Sequence, residues 1–255
     1  MLRIIKTRLE QKYRTMAYPD GPPPDLPPRF AGRPVINGAA CQSGCDRCMV
    51  ACPVGAVRLF DADKGPVIDT GGCLFCRACE TACPVGAICF DREYRLAASG
   101  RESLLVRSGS PDFAPARYET AARLFGRSLK LRQVSAGGCN ACEADSNVLG
   151  TLAWDMGRFG IQFVASPRHA DGLLITGPVT ENMRLALDKT YAAVPAPKIV
   201  IAVGACAIAG GPYTGHPEQH NGVPHILPVD LFIPGCPPHP LTILDGLLRF
   251  IDRIK

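Results

Sequence analysis

Residues 73–84 read CLFCRACETACP, and residues 41–53 read CQSGCDRCMVACP. In the later stretch Cys73, Cys76, Cys79 and Cys83 follow the order C-x2-C-x2-C-x3-C-P. The earlier one, with Cys41, Cys45, Cys48 and Cys52, differs only by one extra residue between its first two cysteines, within Gln42–Gly44. Both run on as C-P-V-G-A, through Ala56 and Ala87, so the chain contains an internal repeat. Soft thiolate ligands at this density suit iron-sulfur clusters or zinc rather than a hard cation. Structural zinc sites pair two close cysteines with a distant second pair, and neither the spacing nor the repeated Cys-Pro fits that arrangement.

The pattern resembles that of bacterial two-cluster ferredoxins, in which three cysteines hold one [4Fe-4S] cluster and the fourth, before Pro, reaches across to the other. That resemblance implies Cys41, Cys45, Cys48 and Cys83 for a first cluster, and Cys52, Cys73, Cys76 and Cys79 for a second. Cys89, in Ala-Ile-Cys-Phe, reads as a small buried apolar residue rather than a ligand.

Composition sets the wider bounds. Thirteen cysteines in 255 residues, bunched in fours, point to metal ligation in a reducing compartment rather than to a secreted disulfide scaffold. The basic first residues lack the apolar run of a signal peptide. The longest apolar stretch, Ile199 to Ala209, is far short of the roughly 20 residues that span a bilayer. The net charge of +5 comes from scattered Lys and Arg with no nucleic-acid-binding motif, so no nucleic-acid partner is expected. Neither a G-x-G-x-x-G after a strand nor a P-loop is present, which removes evident sites for NADH or ATP.

Along the chain, residues 1–34 form an N-terminal segment. Leu2, Ile5, Leu9, Tyr13 and Met16 share one helical face opposite Arg3, Lys6, Arg8, Lys12 and Arg14, a helix suited to a membrane surface, a partner groove or its own domain. YPDGPPPDLPPRFAGRP at 18–34 is too rich in Pro for helix or central strand and reads as an extended strap. The cysteine repeat occupies an α+β unit at 35–100, and residues 101–128 read as a linker. From Leu129 to the end, at 129–255, strands are expected at 129–135, 161–165, 172–176, 198–203 and 226–233. Helices are expected between them at 143–158, 180–193 and 239–254. This alternation is that of an α/β domain with a parallel sheet covered on both faces, the second of two domains.

Four further cysteines lie in that half. Cys139 and Cys142 in GGCNACEAD follow one expected strand, and Cys206 in VGAC and Cys236 in IPGCPP each follow another. The carboxyl ends of parallel strands gather along one edge, so these thiols could converge on a single cluster.

CNACE at 139–143, SPRHADGLLITGPVT at 166–180, GACAIAGG at 204–211 and VDLFIPGCPPHP at 229–240 resemble the small subunit of membrane-bound, energy-converting [NiFe]-hydrogenases, particularly of formate hydrogenlyase and hydrogenase-4. The homologous complex I 20 kDa subunit has two adjacent cysteines at the first position, whereas Cys139 and Cys142 are two residues apart. YPDGPPPDLPPRFAGRP and REYRLAASGRESLL at 92–105 are similar to the ferredoxin-like subunit of the same complexes, as though two neighbouring subunits were fused. The resemblance implies a flavodoxin-like second domain, with Cys139, Cys142, Cys206 and Cys236 binding a proximal cluster, for three [4Fe-4S] clusters in all. It implies a non-catalytic electron-transfer subunit of an oxidoreductase complex, on the cytoplasmic face of the inner membrane. Its partners would be a catalytic large subunit, membrane-arm subunits and an external donor or acceptor such as formate dehydrogenase. A free-standing soluble carrier, or a subunit of a quinone-linked complex without nickel, is the alternative. Glu143 reads as a helix N-terminal carboxylate or a proton-handling group. His239 stands where complex I relatives have Arg, and Arg168 and His169 read as surface residues as readily as neighbours of the proximal cluster.

Overall fold

The computed structural model describes residues 2–61, 65–113, 115–116 and 118–254. The first helix, α1, is Leu2–Gln11, and Lys12 ends it in the left-handed region at φ 55°. It is shorter than the sixteen-residue face suggested, because Thr15 and Met16 are drawn off into hydrogen bonds with Leu152 and Ala153. The cysteine repeat is built from β1 (Pro34–Ile36), α2 (Arg47–Val50), β2 (Val57–Asp61), β3 (Gly65–Asp69), α3 (Ala78–Ala82) and β4 (Ile88–Phe90). β1 pairs antiparallel with β4 in register Pro34↔Phe90 and Ile36↔Ile88, and β2 with β3. A short β5 (Leu105–Val106), from the stretch read as linker, adds to β3. Ile36, Val57, Ile68, Ile88, Phe90 and Val106 pack with Cys48, Cys73 and Cys79 in a small core.

After α4 (Glu119–Phe125) the second half contributes β6 (Leu129–Ser135), α5 (Ala141–Val148), β7 (Ile161–Phe163), β8 (Gly172–Thr176) and α6 (Glu181–Ala193). It continues with β9 (Ile199–Val203), α7 (Ala205–Ala209), β10 (Leu231–Ile233) and α8 (Pro240–Phe250). The five strands form one sheet in the order β7-β6-β8-β9-β10, all parallel. Every residue of β8 (GLLIT) and β9 (IVIAV) is buried, the pattern of central strands covered on both faces. The helix expected over 143–158 stops at Val148: Leu149 is buried, its carbonyl accepts from the Met156 N–H, and the chain between turns back with Asp155 at φ 43°. The strand expected from 226 begins only at Leu231, since Val223–His225 is a 3-10 turn and Pro228 has no N–H for a ladder. α4 and α7 were not expected.

α8 is buried along its whole length. Pro240 occupies its first turn, where a missing N–H costs nothing, and His239 caps it by accepting the Leu241 N–H at Nδ1, 3.1 Å. Gly246 lets the helix approach the post-repeat segment, for a Cβ there would lie 2.6 Å from that of Ala97. Buried between them, Arg249 Nε donates to Asp245 Oδ2 at 2.8 Å, Tyr18 OH from the Pro-rich strap donates to Asp245 Oδ1 at 3.0 Å, and Arg249 Nη2 donates to the Ala97 carbonyl. Burial raises the Asp245 carboxyl's affinity for its proton, and Arg249 opposes that.

The two halves are joined by more than sequence. Ala98 and Phe232 exchange both backbone hydrogen bonds, at 2.9 and 2.8 Å, which pairs the post-repeat segment with the β10 edge. Within the first half, Arg101 makes a two-pronged contact with Asp69, at 2.7 and 2.6 Å, beside the loop that meets the second half. Gly71, on the loop leading to Cys73, sits against Ile208 of α7, where a Cβ would come within 2.8 Å.

Candidate metal centres

The repeated C-P-V-G-A has a structural reason. Gly55 and Gly86 both take φ 62°, turning the chain so that the Ala56 N–H meets Cys52 Sγ and the Ala87 N–H meets Cys83 Sγ, each at 3.2 Å. A residue with a side chain is strained at that φ. Burial raises the Cys83 thiol, but the N–H groups of Val85, Ala87, Ile88 and Gly86 outweigh it and hold the thiol below its ordinary value. The backbone thus favours a thiolate at Cys83 before any metal arrives.

The thiols gather in three groups. Cys41, Cys45, Cys48 and Cys83 line one small cavity with Pro66, Pro84, Val85, Ala87 and Ile88, so Cys83 leaves its own motif to face the cysteines of the other. In the second group burial pushes Cys73 up to about 12, and Cys79, Cys52 and Cys76 add to it. Cys79 goes to about 11 by burial, with Cys52 and Cys76 adding. The loop that spaces this group takes left-handed turns at Phe75 (φ 55°) and Arg77 (φ 62°). Arg77 is tied down by both carboxylate oxygens of Glu80.

The third group stands at the carboxyl edge of the parallel sheet. Cys139 and Cys142 follow β6, Cys206 lies in α7 just after β9, and Cys236 follows β10. Burial raises Cys142, with Cys206, Glu143, Cys236 and Cys139 adding; it pushes Cys206 up to about 11, with Cys236 and Cys139 adding. Glycines make the room: a Cβ at Gly204 would lie 2.5 Å from Cys142 Sγ, and one at Gly211 2.8 Å from Cys206 Sγ. Four thiols beside one another, three of them with proton affinity raised by burial and by their neighbours, in a cradle kept free of side chains, fit a polynuclear cation that displaces thiol protons. Cys236 is raised by burial first, then by Cys139 and by Cys76, so the third group borders the second. Among the described residues no three His, Cys, Asp or Glu converge as they would on a single ion.

Three comparisons bear on these residues. Residues 139–250 match the family model described as NADH ubiquinone oxidoreductase, 20 Kd subunit, and residues 40–87 match a 4Fe-4S dicluster domain. The chain is 40% identical over 138 residues to a probable membrane-bound hydrogenase subunit, mbhJ, of Pyrococcus furiosus, covering 54% of this chain and 83% of that one. It belongs to the family of the complex I 20 kDa subunit and the [NiFe]-hydrogenase small subunit. The B-type chain of NADH-quinone oxidoreductase from Bacteroides thetaiotaomicron is 41% identical over 117 residues, 46% of this chain and 59% of that protein. A chain of the membrane-bound sulfane sulfur reductase, an archaeal respiratory membrane complex, is 33% identical with TM-score 0.46, over 51% of this chain and 72% of that one.

Within this 20 kDa-type family member, the residues flanking the thiols take definite places. Glu143, in the first turn of α5, is buried and accepts hydrogen bonds from Ser135 and Thr176 hydroxyls, both at 2.6 Å. The helix-terminal reading of Glu143 therefore lacked two partners, which sit at the ends of β6 and β8 and carry no local sequence signal. Arg168 and His169 are exposed in the turn before β8, at the opposite edge of the sheet from the thiols. His239 is held edge-on between Phe30 and Trp154, and burial lowers its pKa. Cys89 is exposed on β4 opposite Val35, not buried as expected, because the strand turns Ile88 and Phe90 inward instead.

Proposed function

We propose that this chain is an iron-sulfur electron-transfer subunit of a membrane-bound hydrogenase or complex I-like complex, relaying single electrons through three [4Fe-4S] clusters. The observation that carries this reading is the electrostatic influence of Cys76, a thiol of the second group, on Cys236 of the third, which supports electron passage between the two domains. Cys41, Cys45, Cys48 and Cys83 hold the first cluster, Cys52, Cys73, Cys76 and Cys79 the second, and Cys139, Cys142, Cys206 and Cys236 the third. Each bound cluster supplies one-electron chemistry at a potential set by its surroundings. The chain's own residues fix the spacing: the Ala98–Phe232 bridge holds the repeat against the parallel sheet whose carboxyl edge carries the third group.

The domains are the N-terminal helix and strap at 1–34, the ferredoxin-like unit at 35–100, a connector at 101–128 and the small-subunit-like unit at 129–255. The flavodoxin-like reading of the last is supported by its strand order, which in chain order is 2-1-3-4-5. Cys139 is exposed, which suits a third cluster that faces a catalytic large subunit. The first cluster, at the other end of the series, meets an external donor or acceptor such as formate dehydrogenase. Among the described residues no helix is long and apolar enough to cross a membrane. Membrane-arm subunits of the same complex help hold the chain at the cytoplasmic face.

In detergent extracts of native membranes the chain is expected to co-purify with a large subunit that has a C-x-x-C pair near each end. About one nickel per complex, and reduction of the cluster EPR signals by hydrogen, are expected with it. A nickel-free partner lacking those pairs supports a quinone-linked complex instead. Recovery as a monomer without any partner contradicts both and returns the free carrier.

A further inference from the structure

We infer that α1 is a lipid-binding helix that lies in the plane of an anionic membrane surface. Among the described residues nothing covers its apolar stripe: Leu2 is 84% exposed, Ile5 53%, Leu9 73% and the following Tyr13 85%, and none of the helix's side chains is buried. The chain is anchored only beyond it, where Thr15 Oγ1 donates to the Leu152 carbonyl at 2.9 Å, the Met16 N–H to the Ala153 carbonyl at 3.0 Å, and Arg158 to the Met16 and Tyr18 carbonyls. Leu152, beside that anchor, is itself 70% exposed and adds to the apolar surface.

Charge selects the occupant. At 3.6 residues per turn Leu2, Ile5 and Leu9 form a narrow stripe with Lys6 on one side and Arg8 on the other and Arg3 further round, and Lys12 and Arg14 follow just beyond the helix. The one acid in the helix, Glu10, is already beside Lys6 at 3.8 Å. A flat anionic surface meets the stripe and both cation rows at once, the long basic side chains reaching headgroup phosphates while their stems stay apolar. A protein groove would instead have to carry acids on both walls. Tyr13 suits the same boundary, where aromatic rings with a polar tip collect. At about 1.5 Å per residue the ten residues reach about 15 Å, half a bilayer core, so the helix rests on the surface and does not cross it.

The inference does not rest on which complex the chain serves, because vesicle binding needs no partner subunit. The full-length, cluster-loaded chain is mixed with phosphatidylcholine vesicles with or without about 30 mol% phosphatidylglycerol and floated on a density step. The chain is expected to float with the anionic vesicles only, and to be released at about 1 M salt, where screening acts over about 3 Å. Lys6→Gln with Arg8→Gln is expected to weaken partition about 30-fold, at about fivefold per cation. Ile5→Glu with Leu9→Glu is expected to abolish it, with iron content unchanged, while Leu185→Glu on α6 leaves flotation intact. Absence of flotation with anionic vesicles overturns the inference, as does flotation that survives Ile5→Glu with Leu9→Glu. Protection of α1 from protease only when a partner subunit is bound also overturns it, in favour of a protein groove.

Discussion

Cys83→Ser is expected to remove the cluster at Cys41, Cys45 and Cys48 and to spare the one at Cys73, Cys76 and Cys79, although Cys83 belongs to the second motif. The cavity that Cys83 shares with the first three thiols sets this direction. The four N–H groups that hold its thiol below the ordinary range have no such use for a neutral serine hydroxyl. Iron should fall by about four per chain and one EPR signal of the reduced protein should vanish. Cys52→Ser should do the reverse, since its charge acts on Cys73 and Cys79 of the second group. Cys89→Ser, exposed on β4, should change neither quantity. Loss of the Cys73 cluster in Cys83→Ser would refute the crossed ligation.

Arg249→Met is expected to destabilise the protein by about 3–5 kcal/mol, because it leaves the buried Asp245 carboxylate beside Tyr18 without its counter-charge. The side chains of Arg249 and Asp245 are only 4% and 1% exposed, so water cannot take over the role. At this chain length that amounts to a fall of about 10 °C in the temperature at which the visible absorption of the clusters is lost, compared at one heating rate. Asp245→Leu with Arg249→Met should recover most of the loss, since removing both charges also removes their desolvation cost. If the single variant melts with the wild type, the strap and α8 are not held together by this pair.

These two expectations draw on different parts of the sequence. The dicluster unit was legible because C-x2-C-x2-C-x3-C-P and its repeat are local patterns, and a positive-φ glycine two residues after each Pro fixes the loop that follows. The parallel sheet was legible in the same way, through five apolar runs separated by helical spacings. The Arg249–Asp245–Tyr18 network was not, because Tyr18 and Asp245 are 227 residues apart and nothing near either one marks the other. α7 was missed because five residues, ACAIA, continue the apolar run of β9 and only Gly204 at φ 90° divides them. The end of α5 at Val148 depends on the Met156 N–H reaching back to Leu149, a contact that helical periodicity overrides on paper. Cys89 was misplaced for a simpler reason: in a three-residue strand the face turned outward is set by the partner β1, not by hydropathy.

The cluster count tests the relay most directly. Iron, acid-labile sulfide and zinc are measured on the anaerobically purified full-length chain and on Cys206→Ser, whose sulfur lies in the glycine cradle at the sheet edge. About twelve iron and twelve sulfide are expected for the native chain, falling to about eight of each in the variant. About eight iron in the native chain, unchanged by Cys206→Ser, or zinc in stoichiometric amount, would contradict a three-cluster relay.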